Sequence, residues 1–188
     1  MKVGEVLDRK LYHLLYYFII YSFAGWCMET VYMSLRAGHL VNRGFLFGPF
    51  CPIYGFGALI LITLLGNVGK SAVKYFIYAI ILTTILELCI GIMLRSVFNN
   101  NWWDYSEEPF NIAGLICLKS SITWGIISLF FMGFVHPYIH WFISHIPVYF
   151  RKSLSYFFVL YFLIDCTATI TAVTGFKLQL NQLLWIAR

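Results

Sequence analysis

Long apolar runs govern what this chain can become. Five of them, near residues 11–35, 50–66, 72–94, 111–135 and 156–176, take up most of the sequence. A helix needs about 17 to 25 apolar residues to cross roughly 30 Å of hydrocarbon. Four runs have that length with room for tilt. The second, Phe50 to Gly66, sits at its lower edge. It reads either as a full crossing, helped by an aromatic start at Phe50, Tyr54 and Phe56, or as a re-entrant hairpin, since irregular backbone at depth is tolerated where it lines a cavity.

Composition agrees with a lipid solvent. The chain is 61% hydrophobic and 11% charged, with a mean hydropathy of +0.79. Soluble proteins carry about a quarter charged residues, and a soluble fold here would lack the polar surface to cover itself. The expectation is an all-α, polytopic transmembrane helix bundle, one integral membrane domain spanning residues 1–188, with about five spans. Its aromatic share of 20% suits interfacial belts. The net charge of +5 is thinly spread, which fits anionic headgroups and excludes a nucleic-acid surface. The partner expected first is therefore the bilayer itself.

Between the runs lie segments of distinct character. RAGHLVNRGFLFGPFCPIYGFG is rich in Gly and Pro and reads as a structured loop; RSVFNNNWWDYSEEPF is polar. HPYIHWFISHIPVYFRK is aromatic and mildly basic, and reads as an interfacial helix with Pro137 in its first turn. The N-terminal apolar run is too long for a signal core and lacks a small-residue cleavage site, so it is expected to remain as the first span. Lys2, Arg9, Lys10, Lys70, Lys74, Arg151 and Lys152 outnumber Arg36, Arg43, Arg95, Lys177 and Arg188 on the other side. That places the N-terminus in the cytoplasm and the WWDYS loop outside. The five cysteines are odd in number and without a CxxC pair, as buried thiols would be.

Ionisable residues inside the runs are the best pointers to function. A charge at bilayer depth costs several kcal/mol, so such residues face a polar cavity or one another. Glu29, Glu87 and Lys119 each stand alone in a run, and Asp165 lies within the last. If all five runs cross, these first three fall about 9 to 12 Å below one membrane face, by helical rise. Ser22, Gly25, Glu29 and Arg36 share a stripe of the first span, and Glu87, Gly91 and Arg95 share one of the third. The charges line a substrate or ion site, or they pair only to hold helices together; both readings stay open. Asp165 opens a small-residue face with Ala168, Ala172 and Gly175, which suits bundle or dimer contact, with a proton relay as the alternative.

Other motifs carry less. GNVGKS at 66–71 has the end of a phosphate loop, but Leu64 stands where its first Gly belongs, and no nucleotide-binding motif remains. His136 and His140, four residues apart with His145 following, lack an adjacent third ligand and read as interfacial imidazoles, so no metal site is expected. Ser120 and Ser121 lack a neighbouring base and read as hydroxyls bonded within their helix. Trp103, Asp104 and Tyr105 place aromatic walls around a carboxylate beside a span entrance, with Asn111 as a cap or ligand; this suits a cation or an amphiphile with a polar head.

The ordered set YSFAGWCMET, NRGFLFGPFCPIYGFG, intramembrane Glu87, WWDYS, FNIAGLICL and a later WG resembles the bacterial family labelled ABC-transporter type IV, over roughly Tyr21 to Gly125. The resemblance implies a small polytopic protein of the bacterial cytoplasmic membrane and a transporter component. It marks Trp26, Glu29, Arg43, Gly44, Gly48, Pro49, Pro52, Tyr54, Gly55, Glu87, Trp103, Asp104, Tyr105, Asn111 and Gly114 as motif positions. A separate ATPase subunit and a homo-oligomer are the further partners it leaves open; no cofactor is expected.

Three functions follow. The first is a transport or binding subunit for a small polar or amphipathic substrate, with Glu29, Glu87 and Lys119 lining the cavity and Arg43, Trp103, Asp104, Tyr105 and Asn111 at its mouth. Gly44, Gly48, Pro49, Pro52, Gly55 and Asp165 would then be structural. The second is an intramembrane enzyme acting on a lipid headgroup, with Glu29 or Glu87 as general base and Arg43 or Lys119 on phosphate. The third is a structural or regulatory membrane subunit.

Overall fold

The computed structural model describes residues 3–66 and 71–186. Lys2, positions 67–70 and Arg188 lie outside them, and with them most of the GNVGKS motif at 66–71 and part of the loop charge count. The fold is all-α: α1 (Val3–Ala37), α2 (Pro52–Leu65), α3 (Ala72–Phe98), α4 (Leu118–Phe130), a π-helical turn (Phe131–Val135), α5 (His136–Ser144) and α6 (Val148–Ile186). Among the described residues, four stretches are long and apolar enough to cross a membrane: Lys10–Ala37, Ala72–Phe98, Leu118–Ser144 and Tyr149–Gly175. α2 is apolar throughout but has only 14 residues, about 21 Å of helix.

The segment before α2 supplies the missing length. Val41 donates its amide to the Ser34 hydroxyl at 2.9 Å, Trp26 its indole N–H to Asn42 at 2.8 Å, and Cys51 its amide to the Ser22 carbonyl at 3.0 Å. The partners step backwards along α1, so residues 38–51 descend beside it by roughly 22 Å. There α2 begins. Gly25 lets the Tyr54 ring lie against α1, and Gly55 lets α2 press on Phe18 and Ser22. α2 then continues until Leu61 and Leu65 pack with Ala79 and Tyr75 near the start of α3. The connection is thus half irregular chain and half helix, and α1 and α3 run parallel. Its irregular half is buried at Leu46, Phe50 and Cys51, which is the condition for bare backbone at this depth.

That arrangement corrects the second run in detail. Its helix starts at Pro52 rather than near Phe50, with Pro52 in the first turn, where its missing N–H costs nothing.

The fourth span also differs. Residues 111–117 form a loop closed by an isolated bridge between Ile112 and Ile116, and the helix opens only at Leu118. Cys117 caps it: its thiol accepts the Ser120 amide while Ser120 reaches back to the Cys117 amide. At the other end there is no break before Pro137. Pro137 lacks an amide hydrogen and its ring crowds the preceding turn, and the helix absorbs this by widening into the π turn. The segment read as a separate interfacial helix is therefore the continuation of the fourth span. α6 likewise begins at Val148, earlier than the fifth run near 156.

Tyr16 donates its hydroxyl to the Arg151 carbonyl at 2.9 Å, fixing the start of α6 to α1. Arg151 is buried and caps the end of α5 through the carbonyls of Ile146 (2.9 Å) and Ser144 (3.2 Å). The five cysteines are all free thiols.

Candidate functional site

Glu87 is the most deeply held carboxylate of the upper bundle, with 5% of its surface exposed. Burying an unpaired carboxylate would cost several kcal/mol, and three donors, one from the 99–117 loop and two from α4, offset it. The Tyr105 hydroxyl donates to Oε1 at 3.0 Å and the Trp124 indole N–H to the same atom at 3.3 Å. The Ser120 hydroxyl stands 3.3 Å from Oε2 and 3.0 Å from the Cys117 carbonyl, and donates to one at a time.

Glu29 lies across from it. Tyr54 donates its hydroxyl to Glu29 Oε1 at 2.7 Å, and Arg43 Nε stands 3.7 Å from Oε2. Arg43 also reaches the Trp102 carbonyl at 3.3 Å, joining the descending segment to the 99–117 loop. The two carboxylates are linked through their donors: the rings of Tyr54 and Trp124 meet edge to face with centroids 5.3 Å apart. An unbroken line of side chains runs Arg43, Glu29, Tyr54, Trp124, Glu87, Tyr105.

Lys119 does not join this layer. It is the second residue of α4, not a residue eight positions deep, and its side chain is 72% exposed. It pairs instead with Glu108 at 2.7 Å on the rim. The cause is the later start of the helix, which lifts Lys119 by about two turns.

The 99–117 loop is built to deliver Tyr105. Asp104 accepts from the Ser106 amide at 2.9 Å and its hydroxyl at 2.5 Å. Those bonds, the hydroxyl first, hold the Asp104 carboxyl below its ordinary range. Asn111 bonds the carbonyls of Ser106 (3.1 Å) and Glu108 (2.8 Å) and accepts from the Gly114 amide at 3.2 Å. Gly114 has φ +68°, and a β-carbon there would strike Asp104 and Ser106. Trp103 donates to the Leu115 carbonyl at 2.8 Å, and Arg95 ties Asn101 and Ala113 at 2.9 Å each. Asp104, Asn111 and Trp103 thus shape the loop. Burial, then the Glu87 carboxylate, raises the Tyr105 phenol above its ordinary value, so it remains a donor.

Asp165 is 7% exposed and belongs to a second contact. Its carboxylate accepts the Gly48 amide, at 3.0 Å to Oδ2 and 3.2 Å to Oδ1. One turn further along α6, the Thr169 hydroxyl accepts the Phe47 amide at 3.2 Å. α6 thereby holds the bare backbone of the descending segment. Gly48 has no room for a side chain: a β-carbon would lie 2.5 Å from Asp165 Oδ2 and against the Tyr161 hydroxyl. Gly44 adopts φ +109°, which only glycine adopts without strain, and faces Cys51 Sγ. Ala168, Ala172 and Gly175, read as sharing the Asp165 face, stand exposed instead.

Sequence reasoning omitted Tyr54, Ser120 and Trp124 from the site. Ser120 and Trp124 stand four residues apart and so share one face of α4, a pattern visible once the helix start is known. Among the described residues, no three His, Cys, Asp or Glu side chains are grouped to hold a metal ion. A groove of about 830 Å³ lies away from these carboxylates, between α5 and α6, lined by Trp141, Phe142, Pro147, Phe150 and Phe157.

The family model described as "Putative ABC-transporter type IV" matches residues 16–170, which takes in every residue of the carboxylate line and of the Asp165 contact. No curated protein and no solved structure matches the chain.

Proposed function

The chain belongs to the ABC-transporter type IV family of membrane proteins, and from that premise we propose that it is a transport or binding subunit for a small cationic or amphipathic molecule. One observation carries the reading: two carboxylates from parallel helices, Glu29 and Glu87, are joined by the Tyr54–Trp124 contact beside a crossing that is half irregular chain. Intramembrane carboxylates held by aromatic donors suit a cation, which the ring faces and the negative charge attract together. Interrupted crossings of this kind are where transporters place their substrates. The proposed site is Glu29, Glu87, Tyr54, Trp124 and Tyr105, with Arg43 as the internal counter-ion that a substrate cation would displace from Glu29. Lys119 and Glu108 form an exposed pair at the rim. Orientation with a cytoplasmic N-terminus in the inner membrane completes the proposal, and a separate ATPase is a partner consistent with the family.

The test is uptake of a radiolabelled quaternary ammonium probe, choline, into sealed proteoliposomes. Uptake above empty vesicles, lost in Glu87→Gln and Glu29→Gln, is the expected result. Unchanged uptake in both variants would sink the site, and chemical conversion of labelled lipid by the purified protein would favour a lipid-headgroup enzyme instead.

A further inference from the structure

A second polar column lies in the other half of the bundle. On α1, His13, Tyr17 and Tyr21 recur every four residues and share one stripe. On α5, His136 and His140 do the same. Tyr21 Oη lies 3.1 Å from His136 Nδ1, and the Tyr17 hydroxyl bonds His140 Nδ1. The rings close the remaining gaps: His13 to His140 at 5.9 Å, Tyr17 to His136 at 5.0 Å, and His136 to His140 at 6.3 Å. Five amphoteric side chains therefore form one contact path about 12 Å long by helical rise.

The placement of these rings comes from the π turn. Widening one turn before His136 rotates everything after it by about one residue, roughly 100°. That rotation turns the ring nitrogens of His136 and His140 toward the tyrosines of α1. π turns within α-helices occur frequently at functional sites.

The column also has a direction. His140 is exposed, near the end of its helix; His13 and His136 are half-buried; Tyr17 and Tyr21 are each 5% exposed. Its inner end adjoins Ser22, where the descending segment meets α1. Around it, α3 brings in the buried hydroxyl of Tyr75, while Arg151 of α6, beside Tyr16, directs its guanidinium to backbone carbonyls. The π turn contributes Phe131 against Tyr21.

We propose that His13, Tyr17, Tyr21, His136 and His140 are a proton relay from the N-terminal end of the bundle to its middle. An imidazole accepts a proton on one nitrogen and releases one from the other, and a phenol both donates and accepts. A proton taken up at His140 Nε2 is matched by one passed from Nδ1 to Tyr17 Oη. Tyr17, whose ring lies against His136, gives its own to that imidazole, and His136 holds it as the imidazolium, with Nδ1–H donated to Tyr21. His140 and Tyr17 end with the protons they began with, and one proton has moved inward to His136. Five polar rings in a lipid-solvated bundle are otherwise a costly way to fill space that Leu or Phe would fill. The inference goes beyond the carboxylate site and does not depend on what binds there.

The experiment is nitrogen-15 NMR of histidine-labelled protein in lipid bilayers from pH 5 to 8, with His136→Gln and His140→Gln used for assignment. Both imidazoles are expected to exchange between neutral and protonated forms. Tyr17→Phe keeps the ring and removes the hydroxyl; it should slow exchange at His136 at least tenfold while leaving His140 responsive. Imidazoles fixed in one neutral tautomer across the range would overturn the relay, as would His136 exchange unchanged in Tyr17→Phe. Neither result would bear on choline uptake through Glu29 and Glu87.

Discussion

Gly25 lies flush against Tyr54: a β-carbon on Gly25 would stand 2.6 Å from the Tyr54 β-carbon and closer still to its ring. The phenol that holds Glu29 is in position because α1 offers no side chain there. Gly25→Val should force α2 away and cost about 1–3 kcal/mol by overpacking. A fall in the thermal midpoint in detergent, relative to Gly57→Ala, checks this, since a β-carbon at Gly57 meets only Leu86 at an ordinary 3.5 Å.

Tyr54→Phe should leave that packing intact and remove one bond to Glu29. The loss is expected to be modest, about 1 kcal/mol, because Glu29 is 30% exposed and keeps Arg43. Choline uptake should fall much more than stability does. Equal losses in both would show that Tyr54 is only a packing residue.

Asp165→Ala leaves the half-buried Gly48 amide without its acceptor, at about 1 kcal/mol. The descending segment should loosen, which cysteine labelling at position 47 would report as faster modification than in the parent. Gly48→Ala should fail for the opposite reason, a clash with Asp165 and Tyr161.

Lys119→Met should be nearly silent in stability, within about 1 kcal/mol, because the Lys119–Glu108 pair is exposed and screened by water. Glu87→Gln should not be silent. A large loss of uptake in Lys119→Met, comparable to Glu87→Gln, would return Lys119 to the site.

The 99–117 loop should weaken in acid. Asp104 has its carboxyl held down by Ser106, so its contribution is complete above the ordinary carboxylate range near 4 and disappears as pH falls through the lowered folded value. Protection of the Ser106 and Tyr105 amides against hydrogen exchange should drop on acidification, and Asp104→Asn should show the acid behaviour at neutral pH. Identical protection in parent and variant would exclude the role.

The long spans were legible because hydropathy over some 20 residues is a strong signal. The helices that carry Glu29 and Glu87 followed from span length, whereas a common level for the two required the second run to traverse the bundle as well. Lys119 was misplaced because apolar residues 111–117 look like helix in composition; their turn is made by Asn111 and by positive φ at Ala113 and Gly114, which hydropathy does not register. A separate helix was expected at 136–144 because Pro137 signals a helix start, whereas here it widens a helix already under way, and the contacts of His136 and His140 with α1 follow from that. Asp165 showed as buried in composition, but its partner is a backbone amide over a hundred residues away, which no local pattern encodes.

The short length of α2 has an electrostatic consequence. A helix that began at the membrane surface would leave the positive end of its dipole in water; α2 begins beside Ser22, so about half a unit of positive charge sits in the low-dielectric interior. Glu29 and Asp165, from helices on different sides, both gather at that end, Glu29 through Tyr54 and Asp165 through the amide of Gly48 just upstream. The late start of α2 thus sets a buried partial positive charge beside two carboxylates that apolar surroundings alone would exclude.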